Sequence, residues 1–351
     1  MTTSHHRPAA HWAAPAAVGW ALLFGGFALG CTLWHKAVFN PADKSGPVAL
    51  NWLVVVTSVV ALTAVLDARR HGARRFNQAL LWIGCALSAV SGFTLLMDVI
   101  ELIFNQRVDN NVAAVHHLLG LLGVVLLAAT ARSLRPAGCA RCGREHRSGV
   151  RPEPSPAPRP AQVAAWVGAV AFAPYAAMKV IWATGGRFAG VSGADTLDES
   201  RRNGASGLWL KLESWGIDGT VLLAALGVFL LFGLVRPWGQ VFPRWTLVLH
   251  GRPVPRWLPL TPALIGATTL VPYGLLGTGY TALGSAGLVS FPRGDFPTVA
   301  DCIEVSWIGH GAFTMYGTAL ALATRSYWVR TRPRCPGGAV PRQDVVRLRE
   351  R

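Results

Sequence analysis

The chain has 351 residues, 52% hydrophobic and only 14% charged, with a mean hydropathy of +0.36 and a formal net charge of +16. A soluble two-domain protein of this length would carry about a quarter charged residues, so the composition points to lipid as the solvent. Nucleic-acid binding is excluded as well, because the basic residues are scattered through short connections between apolar runs, and six cysteines are too few for a disulfide scaffold.

A membrane-crossing helix needs roughly 20 apolar residues to span about 30 Å of hydrocarbon. Eight stretches reach that length: 13–34, 48–67, 79–104, 112–131, 162–184, 216–235, 257–281 and 304–324. The first is read as a span and not as a signal peptide, because only Arg7 precedes it and its Ala-rich part comes first. It contains Gly26 and Gly30, a GxxxG pair suited to close helix packing. The third span carries Asp98 and Glu101, three residues apart on one helical face, a carboxylate pair of the kind that binds a cation or carries a proton.

The fourth span opens with His116 and His117, and Gly120 and Gly123 share the face of His117. After it come Cys139, Cys142 and His146, three of the four ligands a structural zinc would need. The run from Arg151 to Pro160 then favours an extended polyproline linker over packing. In the fifth span Tyr175, Lys179 and Trp182 share a face. Pro174 there and Pro272 in the seventh span, each followed by Tyr, are expected to interrupt their helices and free backbone carbonyls. The eighth span contributes His310. Cys31 and Cys302 are candidates for a disulfide if their helices touch. Trp34 and Trp182 at one boundary, with Trp238, Trp245, Trp257 and Trp328 at the other, read as aromatic belts.

Orientation follows from Lys and Arg, which cytoplasmic loops retain. With the N-terminus inside, the cytoplasmic segments hold 24 of the 33 basic residues and five of the 17 acidic ones, leaving +19 inside and −3 outside. Both termini are therefore expected in the cytoplasm, with attraction to anionic headgroups as a by-product. Under this topology His35, Asp98, Glu101, His116, His117, Lys179, Asp218, Glu304 and His310 all fall in the outer halves of their spans.

An internal repeat is also legible. His117 stands fifteen residues before Arg132, and His310 fifteen before Arg325; Asn51 stands eighteen before Arg69, and Asp218 eighteen before Arg236. The expected fold is all-α, a polytopic bundle of about eight transmembrane helices in two pseudo-repeated four-helix units. Residues 1–131 form the first unit, 132–161 an Arg/Pro-rich cytoplasmic linker, 162–330 the second unit and 331–351 a basic tail. Four spans per unit give both the same orientation, about an axis along the membrane normal.

Ionisable side chains in hydrocarbon cost about 2.5–3.5 kcal/mol each on insertion scales and so mark candidate sites. The expected site is a cavity open to the outer face, lined by Asp98, Glu101, His117, Lys179 and His310, that binds or transports a small solute, ion or lipid. The alternatives are a membrane redox enzyme in which His117 and His310 ligate haem or a metal, and a non-catalytic scaffold. No cofactor is expected on the leading reading, and no nucleotide-binding or hydrolase motif stands in a suitable context. The expected partners are the lipid bilayer and the solute, with no nucleic acid.

The segment from Pro174 to Gly186 and the stretch from Gly251 to Leu260 resemble multi-pass membrane proteins of high-GC actinobacteria that have no assigned activity. The resemblance covers most of the second half and little of the first. It implies a multi-pass topology and a bacterial plasma-membrane location, and nothing about chemistry.

Overall fold

A computed structural model describes residues 12–38, 48–71, 74–105, 110–134, 151–202 and 204–333. Cys139, Cys142 and His146 lie outside them. In the N-terminal part are α1 (Ala13–Leu33), α2 (Asn51–His71), α3 (Arg75–Gly92), α4 (Leu95–Asn105) and α5 (Asn111–Ser133). The C-terminal part comprises α6 (Arg159–Ala183), a small hairpin of β1 (Arg187–Phe188) and β2 (Val191–Ser192), then α7 (Gly193–Arg202), α8 (Gly207–Ser214), α9 (Gly219–Val235), α10 (Trp257–Ser285) and α11 (Val299–Arg330). Among the described residues the fold is thus all-α apart from one pair of two-residue strands and an isolated bridge between Val241 and Pro253.

Lipid leaves backbone groups no partner but their own helix, so apolar runs become helices, and polar residues decide where they start. Asn110 accepts from the Val112 and Ala113 amides at the head of α5, and Asp218 from Thr220 and Val221 at the head of α9. Thr298 and Asp301 close a reciprocal capping box on α11. Among the described residues six helical stretches are long and apolar enough to cross a membrane: α1, α2, α3 continuing to Ile100, α5, α6 and α10. A seventh is counted if α8 and α9, bent by 86° at their junction, form one span. With 32 residues α11 has the length, but residues such as Glu304 and His310 lower its hydropathy below that of the six.

Several local expectations need correction. The third stretch is not one helix: it breaks at Phe93 and Thr94. Pro174 and Pro272 interrupt nothing, since α6 and α10 run through them. Cys31 and Cys302 are both free thiols; Cys31 is buried in the N-terminal core, while Cys302 sits in the first turn of α11. Trp182 is no belt residue: it is buried, and its indole donates to the carbonyls of Phe188 and Val191, pinning the hairpin. The residues before α6 are extended, yet they pack. Ala157 donates to the Val235 carbonyl, the Ser155 backbone exchanges two hydrogen bonds with the Gln240 side chain, and Arg330 donates to Ser155.

The apolar interior forms two main cores. One draws only on residues from Ala17 to Ala131, and the other only on residues from Ala157 to Tyr327. Small residues set the closest approaches. Gly120 lies against Gly92, where an added Cβ would sit 2.8 Å from the Gly92 nitrogen, and Gly274 lies against the Thr314 backbone. The pair expected in α1 is not an interface: Gly26 faces open space and Gly30 faces its own Trp34. In the N-terminal part α1, α2, α3 and α5 close into a ring, α2 packing on α3. In the C-terminal part α6, α10 and α11 pack tightly, but α9 leans on α6 and only brushes α10.

Candidate binding cavity

The gap beside α9 is a cavity of about 2190 Å³. Its walls are single helix faces. Thr220, Leu223, Gly227 and Leu230 come from α9, with Pro262, Gly266, Leu270 and Tyr273 opposite on α10. Phe172, Tyr175 and Lys179 of α6, and His310, Phe313 and Tyr316 of α11, form the back. The aromatic rings meet edge-on: Phe172 with Tyr316 at 4.8 Å, and Tyr273 with Phe313 at 5.4 Å. Packing of this kind ties the back wall together, while α9 is held mainly by α6 and α11 and touches α10 least.

One end of the cavity is polar. Asp195, Asp198 and Glu199 of α7, Glu213 of α8, Asp218 and the loop residue Asp295 line it together with Lys179, Arg202 and Arg293. The Lys179 ammonium lies 3.9 Å from the Asp218 carboxylate and 5.5 Å from the centre of the Trp182 ring. Asp218 also accepts from the Thr220 hydroxyl, which in turn accepts from Tyr175 at 3.2 Å. These groups form one network across the mouth, with acids in excess.

Glu199, on α7 outside the membrane helices, has its carboxyl held above the ordinary 4.5, first by burial and then by the neighbouring Asp295 carboxylate, while Lys179 and Arg202 pull the other way. A folded-state pKa above the unfolded one stabilises while the group is protonated, and that contribution is lost as pH rises through the folded value. Thermal unfolding of the protein is therefore expected to shift to lower temperature as pH rises from about 4.5 towards neutrality, and Glu199→Gln to flatten that slope. Equal slopes for the two proteins would show that Glu199 does not carry the effect.

The five residues singled out by sequence do not share this site. Lys179 and His310 line the cavity. His310 receives or donates a 2.9 Å hydrogen bond with Thr281 and stands edge-on to Tyr273. Asp98 and His117 pair with each other instead, 2.6 Å apart, and the other imidazole nitrogen lies 2.7 Å from the Thr94 hydroxyl. The Glu101 side chain is outside the described residues. Asp98 thus binds a histidine, and Lys179 pairs with Asp218 instead. With both His117 nitrogens engaged, this arrangement leaves it no lone pair for a metal or haem iron. Among the described residues no group of three His, Cys, Asp or Glu side chains is placed to hold a metal.

Comparison of the chain with protein-family models, curated proteins and solved structures finds no match. Function therefore has to be read from the cavity. The sequence reads 185–214 and 282–303 as long, mildly acidic outer loops able to cover an outward-facing cavity, and does not single out Glu199, Glu213 or Asp295 within them. Tyr175 stands out in sequence for the face it shares with Lys179, and Tyr273 for the proline before it; both line the cavity.

Proposed function

We propose that the chain is a plasma-membrane protein that crosses the bilayer eight times with both termini cytoplasmic, and that its C-terminal unit binds an amphiphile from the outer face. The observation that carries this reading is the cavity: apolar along the helices, charged at one end, and about 2190 Å³ in volume. That exceeds the roughly 300–1,000 Å³ of ordinary small-molecule sites and suits a chain-bearing molecule better than an ion. The excess of acids over Lys179, Arg202 and Arg293 at the mouth favours a cationic polar group over an anionic one.

Two four-helix units are supported by the separate cores and by matching local chemistry. Asn51 and Asp218 each stand at the head of the second helix of their unit. His117 bonds Thr94 on the preceding helical segment, and His310 bonds Thr281 on the preceding helix. Where α2 closes on α3, the equivalent α9 stands off α10. On this reading the binding site is a repeat interface left open in one copy. As the eighth crossing, α11 fits because it packs along α6 and α10 over its length.

The test is photolabelling of the full chain in vesicles by a long-chain alkylamine bearing a diazirine. Label is expected on α9 and α10 faces that line the cavity, with competition by unlabelled amine. Label spread evenly over all lipid-facing helices would sink the proposal. Single cysteines at Arg293 and Arg332 should react with an impermeant reagent from opposite sides; reaction from one side would remove the eighth crossing.

A further inference from the structure

A second hollow, of about 480 Å³, lies at the other end of the bundle and is lined by Trp82, Arg132, Arg256, Trp328 and Arg332. Residues from both halves of the chain meet there: Trp82 from α3 and Arg132 from the last turn of α5, against Arg256 just before α10 and Arg332 just after α11. Three guanidinium groups surround one indole. The central carbons of Arg132, Arg256 and Arg332 stand 5.2, 5.4 and 5.6 Å from the centre of the Trp328 ring.

Contacts within the described residues do not balance this charge. Arg256 donates to the Thr331 hydroxyl at 3.1 Å and to the Trp328 carbonyl at 3.2 Å, which leaves one terminal nitrogen. The ion pairs formed by described residues lie elsewhere and include none of these arginines. Burial, followed by Arg332, Arg151 and Arg132 among its neighbours, lowers the Arg256 pKa, the mark of like charges crowded together. Stacking on tryptophan offsets some repulsion and supplies no negative charge.

We propose that this hollow binds the phosphate of an anionic phospholipid headgroup, which bridges the N-terminal and C-terminal bundles. Guanidinium forks match phosphate oxygens in bidentate geometry, and three of them converge from separate elements. The place is where headgroups are found: the ends of α5, α10 and α11, with an exposed Trp82 two turns into α3 beside them. The site is independent of the outer cavity and would stand if the amphiphile reading failed.

The full chain in nanodiscs of phosphatidylcholine, with and without phosphatidylglycerol, provides the test, with retained lipid counted by native mass spectrometry. Arg132→Gln or Arg332→Gln should each weaken phosphatidylglycerol retention about fivefold, and the double variant about 25-fold, taking about 1 kcal/mol per basic side chain near the surface. Arg244→Gln, an exposed arginine outside the hollow, should change nothing. Both glutamine sites are exposed, so melting temperatures in pure phosphatidylcholine should match wild type and exclude misfolding. Equal weakening by Arg244→Gln would reduce the effect to general surface charge and overturn the site. Displacement of the lipid by millimolar inorganic phosphate would overturn the lipid as its occupant.

Discussion

Gly120→Leu is expected to prevent assembly of the N-terminal bundle. An added Cβ at this position would lie 2.8 Å from the Gly92 nitrogen, 2.9 Å from the Ser91 carbonyl carbon and 3.0 Å from the Ser88 oxygen. All three are backbone atoms of α3, so no rotamer change relieves the clash. Overpacking a close-packed core costs about 1–3 kcal/mol and occasionally more, and here α3 and α5 would have to separate along their length. Even Gly120→Ala should lower stability by about 1–3 kcal/mol. Gly26→Ala is the control, since nothing lies within 4 Å of a Cβ there. Fluorescence-detected gel filtration and thermal unfolding would read the contrast; equal behaviour of the Gly120 and Gly26 variants would show that the helix contact is not tight.

Filling the outer cavity is expected to remove amphiphile binding without unfolding the protein. Gly266 lines the cavity, and the only atom near a Cβ there is the flexible Leu320 methyl at 2.9 Å; Ala224 faces it from α9. Gly266→Phe together with Ala224→Phe puts two rings into the space between α9 and α10. Loss of binding by tenfold or more, equivalent to about 1.4 kcal/mol, is expected in a titration with the labelled alkylamine, at unchanged melting temperature. Wild-type affinity in the double variant would place the ligand elsewhere.

The membrane helices were legible because each is a long apolar run, and the physics that reads it is local. The breaks were not. Phe93 and Thr94 sit inside an apolar stretch, and the Thr94 hydroxyl is bonded there by His117, 23 residues away. Composition ranked GxxxG in α1 above its neighbour, yet Gly25 and not Gly26 meets α2, at Ser58. Which face of an all-apolar helix is buried is decided by partners, not by its own periodicity.

The same limit explains the site. Lys179 and His310 were found because ionisable groups are rare in hydrocarbon, but rarity gives depth and not direction. Asp98 was grouped with them through its spacing to Glu101, and His117 through its repeat match to His310, yet the two form a pair of their own. The acids at the mouth sit on α7, α8 and a loop, where charge is ordinary. The inner arginines were counted as an orientation signal, which drew attention from the three that converge on Trp328.

The proline-rich segment before α6 ties itself to the C-terminal bundle through Ala157, Ser155 and the Arg151 guanidinium, which reaches the Val254 carbonyl. It therefore serves as the lid of that end of the bundle and travels with it. A gene divided ahead of codon 151 would hand this lid intact to the downstream fragment, whereas a cut at codon 160 would strip it away, leaving the Val235 carbonyl and the Gln240 side chain without these partners and Arg330 with only the Leu234 carbonyl as a backbone partner.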